Sequence, residues 1–113
     1  MQIKKTYDNL QPELLYYELK DFFLQQGMVL GTNKLETFST QADSTATIFQ
    51  GTLTFKTASE PVKECVRAHM QGATKGQTKL VLDLDEEVVD EKQISALKED
   101  IDFFFGTYEA AVG

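Results

Sequence analysis

The stretch Thr45–Thr57, TATIFQGTLTFKT, constrains the fold of this chain more than any other. Side chains of a strand alternate between faces, so Phe49, Leu53 and Phe55 point one way. Ile48, Gln50, Thr52, Thr54 and Lys56 point the other. One apolar row and one largely polar row describe a strand with a buried face and a wet face. That is the pattern of an antiparallel sheet covered on one side only.

The flanking segments supply partners for such a strand. Gln2–Asp8 alternates Ile3, Lys5 and Tyr7 against Gln2, Lys4 and Thr6, which predicts a short, half-wet strand. Asn9-Leu10-Gln11-Pro12 then starts a helix, because proline is tolerated in a first helical turn. The helix is expected over Gln11–Gln26, with Gly27 as its stop. Leu15, Tyr16, Leu19, Phe22 and Phe23 share one arc at 100° per residue and form its core face. Leu14, Tyr17 and Leu24 fall on the far side, so this helix is apolar on two faces.

Residues 28–40 read as a second strand, bent or bulged near Gly31, since Val29, Leu35 and Phe38 cannot keep one parity. The polar turn Gln41-Ala42-Asp43-Ser44 would join it to the first-described strand as a hairpin. Residues 78–85 form a clean strand, with Leu80, Leu82 and Leu84 inward. Asp90 and Gln93 have capping-box spacing. The helix they open should run to about Phe105 and bury Ile94, Leu97, Ile101, Phe104, Phe105 and Tyr108. Phe103 falls opposite and should be exposed.

Residues 59–72, SEPVKECVRAHMQG, fit two templates. As a helix, Val62, Cys65, Val66, His69 and Met70 line one face, with Ser59 as N-cap, Pro61 in the first turn and Gly72 as stop. As a strand, Val62, Val66, Ala68 and Met70 share a face, but Glu64 falls on it too. The helix template is favoured.

The favoured element order is therefore β-α-β-β-α-β-α. It resembles a ferredoxin-like βαββαβ unit with an added C-terminal helix: an α+β fold with an antiparallel sheet and helices on one face. The alternative order, β-α-β-β-β-β-α, resembles the TATA-binding-protein-like and helix-grip folds. The expectation is a single α+β domain over residues 1–113.

The chain is acidic, with a formal charge of −7. A net negative field repels phosphate backbones and anionic bilayers, so neither nucleic acid nor a membrane surface is the expected partner. The basic residues that could override this are Lys4–Lys5 and Lys75/Lys79, and neither pair is dense. The single cysteine, Cys65, excludes an internal disulfide, and MQIKKTYDNL lacks the apolar run of a signal peptide. A cytoplasmic location is expected.

Catalytic residue types are scarce. Cys65 and His69 could share a helical face, but a zinc site needs three or four ligands. Both are better read as core residues. The acidic run Asp83–Glu87, with Asp90 and Glu91, lacks calcium-loop spacing, and no glycine cluster has P-loop form. No catalytic residue, cofactor or metal is assigned, and the reading leans away from an enzyme. The expected function is a regulatory or protein-interaction module that self-associates, with Leu14, Tyr17, Leu24 and Phe103 as its interface. Its partner would be itself or another protein. The alternative is a carrier of a small apolar ligand, with aromatic side chains lining a cavity of helix-grip type.

Overall fold

Five strands and two helices alternate as β1 (Gln2–Asp8), α1 (Pro12–Gln25), β2 (Val29–Ser39), β3 (Thr47–Lys56), β4 (Glu64–Ala73), β5 (Gln77–Leu84) and α2 (Glu91–Phe105). The computed structural model describes residues 1–39, 47–73 and 76–110. The expected turn at Gln41–Ser44 lies outside the described residues. The strands form one antiparallel sheet in the order β1-β5-β4-β3-β2.

This order overturns the favoured ferredoxin-like layout. Residues 64–73 are not a helix but β4, the middle strand of the sheet. Glu64 spoiled the alternation in the sequence, and a bulge removes the conflict. Phe55 of β3 pairs with Val66, yet the next residue, Lys56, pairs with Glu64. The extra residue, Cys65, therefore turns inward beside Val66, and both are buried. Beyond the bulge Ala68, Met70 and Gly72 alternate inward while Arg67, His69 and Gln71 alternate outward. A helix here would leave β3 and β5 without the neighbour that satisfies their backbone groups. The loop before β4 is tied by Thr57, whose hydroxyl accepts from Lys63 N and donates toward the Pro61 carbonyl.

The core lies on one face of the sheet. Ile3, Leu82, Ala68 and Leu53 face each other across β1, β5, β4 and β3 and are all buried. Phe23 of α1 packs against Phe55, and Phe105 of α2 sits edge-on to Tyr7. Tyr7 shares its face with Ile3, so both helices cover the same side. α1 lies as expected, and Gly27, at φ +83°, supplies the left-handed stop. The expected bulge in β2 falls between Leu30 and Asn33. Asp90 accepts from Gln93 N at 2.8 Å and completes the capping box of α2. Two of the residues assigned to the α2 core are not in it: Phe104 is 48% exposed and Tyr108 41%. The helix ends against β1, and the 3₁₀ segment Gly106–Tyr108 leads on to Glu109, which bridges to Tyr7.

The two helices run in opposite directions. α1 begins where Thr78 donates to the Leu10 carbonyl and Pro12 meets Gly72. α2 ends at the same end of the sheet, where Tyr7 pairs with Thr78 and touches Phe105.

Candidate functional site

Three surfaces have distinct chemistry: the back of the helix layer, the uncovered sheet face and the outer edge of β2.

All four residues assigned to an interface are exposed: Leu14 and Tyr17 at 54%, Leu24 at 43% and Phe103 at 82%. The fold does not gather them into one spot. Because the helices are antiparallel, Leu14 near the start of α1 lies at the same end as Phe103 near the end of α2. Leu24 lies ten residues further along α1, about 15 Å away. Phe104, misassigned to the core, joins this end instead, with its ring edge-on to Phe103 at 5.1 Å. Its sequence signal was its place at the margin of the α2 arc.

The helix layer is also acidic. Glu13, Glu18 and Asp21 on α1 and Glu91, Glu99, Asp100 and Asp102 on α2 outnumber Lys20, Lys92 and Lys98. Glu18 and Asp100 meet between the helices. The Glu18 carboxyl is pushed up to about 7 by burial, by its hydrogen bond to Asp100 and by the charges of Asp100 and Asp21. Asp100 Oδ2 is buried between the helices without a hydrogen-bond partner, a setting that favours a neutral carboxyl on its neighbour Glu18.

The opposite sheet face is uncovered by either helix and carries basic residues from separate strands. One cross-strand row reads Lys4, Val81, His69, Thr52, Lys34. The neighbouring rows hold Lys79 and Arg67. Arg67 is engaged with Glu64, its guanidinium 3.1 Å from Glu64 Oε1. Lys34 and Arg67 were not singled out in the sequence, because only strand pairing brings them near Lys4 and Lys79. Lys75 lies outside the described residues. Lys5 shares the helix face of β1 and pairs with Glu109 at 2.9 Å.

The Cys65–His69 pair does not exist in space. His69, assigned to the core, is exposed on the open face, with Nδ1 3.2 Å from the Thr52 hydroxyl. The Cys65 thiol is in the core, 3.6 Å from the Phe55 carbonyl and 3.9 Å from Met28 Sδ. Burial and the nearby Asp85 push this thiol upward, away from the reactive thiolate. In the acidic run, Asp85 accepts from Glu87 N at 3.0 Å and ion-pairs with Lys63 at 3.3 Å. These contacts hold its carboxyl below the usual range. Among the described residues, no group of three or more His, Cys, Asp or Glu is placed to hold a metal ion. Among the same residues, no helix is long and apolar enough to cross a membrane.

Compared with protein-family models, with curated proteins and with solved structures, the chain matches none.

Proposed function

We propose that this protein is a non-enzymatic regulatory or interaction module, resident in the cytoplasm, that self-associates. The observation that carries the reading is the apolar end of the helix layer, where Phe103 is 82% exposed beside Phe104, at the same end as the exposed Leu14. Large side chains held in water at one end of a domain are the kind of surface that a protein partner covers. Tyr17 and Leu24 extend the apolar line along α1. The element order supports a finer placement beside helix-grip or TATA-binding-protein-like layouts, which by itself carries no function.

The carrier reading draws on the same element order and has less support. A groove of 460 Å³ beside Lys4, Lys5, Lys79 and Glu109 is mostly polar, and one of 230 Å³ sets Lys5, Lys98 and Asp102 around Ile3 and Ile101. Beneath α1, the Phe23 ring packs edge-on to Phe22 and tilted against Phe55, filling the core there.

Sedimentation velocity over a concentration series tests the proposal. The native chain is expected to form a species larger than a monomer. Tyr17→Glu with Leu24→Glu is expected to stay folded and sediment as a smaller species. An unchanged size removes the Tyr17 and Leu24 line of α1 from the interface. A native chain that is monomeric at every concentration removes self-association altogether.

A further inference from the structure

We propose that β2 is a seam between two copies of this chain, pairing antiparallel with β2 of the second copy so that Lys34 of each faces Glu36 of the other. The inference rests on the self-association reading and specifies a contact separate from the helix surface.

The two edges of the sheet differ. The edge at β1 is covered by the chain itself at its Thr6–Tyr7 end. Glu109 bridges to Tyr7, Ala110 N donates to the Thr6 carbonyl at 2.8 Å and Lys5 pairs with Glu109. The edge at β2 has no paired segment among the described residues, although β2 is the longest strand at 11 residues. Residues 32–34 and 36–38 are exposed along it. Such an edge presents a row of backbone donors and acceptors that an added strand can satisfy.

The side chains specify which strand fits. Two copies related by a two-fold axis normal to the sheet pair antiparallel and keep their helices on the same side. Directly opposite residues then share a face, and the axis must pass beside a residue that meets its own copy. Centred on Lys34, two lysines oppose each other. Centred on Glu36, two glutamates do. Centred on Leu35, Lys34 meets the second copy's Glu36, and Glu36 meets the second copy's Lys34. Opposite charges in direct cross-strand positions stabilise pairing, and like charges oppose it. On the helix face this register stacks Leu35 on Leu35, beside Gly51 and the Tyr16 ring. The core would thus continue across the seam. A bulge and a lysine ordinarily guard an edge against arbitrary strands. Here the bulge between Leu30 and Asn33 leaves Asn33 onward regular, and the lysine has its complement two residues away.

The test is a charge-reversal cycle read by sedimentation velocity. Lys34→Glu sets two carboxylates against each other at each cross-strand pair of the seam, and Glu36→Lys sets two ammonium groups there. Each single variant is expected to associate at least tenfold more weakly than the native chain. An equimolar mixture of the two, and the double variant K34E/E36K, are expected to recover native association. Recovery in the mixture also shows that both singles are folded. Hydrogen exchange gives a second readout, with amides of residues 32–38 gaining protection as concentration rises. If the native chain associates and the reversals change nothing, or if the mixture fails to recover, the seam is overturned while self-association stands. If the native chain is monomeric throughout, both fall.

Discussion

The hydroxyl of Thr78 donates to the Leu10 carbonyl at 2.6 Å, tying β5 to the loop that launches α1. Thr78 is fully buried, and its strand neighbours on either side are Tyr7 and Gly72. The approach is close enough that a Cβ at position 72 would lie 2.5 Å from Thr78 Oγ1 and 2.9 Å from Pro12 Cγ. One hydroxyl and one missing side chain therefore set where α1 begins over the sheet. Thr78→Val keeps the shape, removes the donor and leaves the Leu10 carbonyl without that partner. It is expected to destabilise the fold by about 1–3 kcal/mol, read as a lower urea midpoint with an unchanged slope.

The burial of Glu18 beside Asp100 gives the fold a pH dependence of definite sign. Glu18 holds its proton more tightly in the folded chain, up to about 7, than at its ordinary value of 4.5. Between these values the folded state binds more protons than the unfolded state. Its stability therefore falls as pH rises from about 4.5 to about 7 and levels off above. Asp85 acts in a separate, more acid window, because its carboxyl is held low and its contribution is lost only as that group protonates. Glu18→Gln keeps a donor toward Asp100 and removes the titrating group. It is expected to melt higher than the native chain at pH 8 and to flatten the slope across this range. An identical slope in the variant would remove Glu18 as its source.

Cys65 should behave as a structural thiol. It is 3% exposed, enclosed by Phe55 and Met28, and burial disfavours its thiolate. An alkylating reagent at pH 8 is expected to leave the native protein unmodified over hours and to label it at once in urea, as followed by intact mass. Rapid labelling of the native state would return Cys65 to the set of reactive residues.

Much of this fold is written locally. β1, α1, β5 and α2 lie within a residue or two of where alternation, proline, glycine and the Asp90–Gln93 spacing put them. The exposure of Leu14, Tyr17, Leu24 and Phe103 was equally legible, since a helical arc shows its far side without reference to the rest of the chain. β4 was not legible. Its apolar residues serve a helix period almost as well as a strand period, and the bulge at Cys65 breaks the one pattern that would have separated them. Phe104 was misplaced for a related reason. An arc shows which residues share a face, but not where the neighbouring element stops covering it.

By itself, then, the sequence determined the α+β class, the strands and helices with uninterrupted periodicity, and the apolar side chains left in water. Hydrophobic period and capping act over one or two turns and need no distant partner. The tertiary structure decided that residues 64–73 are the middle strand, because β3 and β5 each need its backbone groups. It also separated His69 from Cys65, gathered Lys4, Lys34, Arg67 and Lys79 on one face, and left β2 as an edge with no paired segment among the described residues while residues 109–110 covered the Thr6–Tyr7 end of the other. Each of these depends on which strand lies beside which, and pairing across tens of residues leaves no mark within either strand alone.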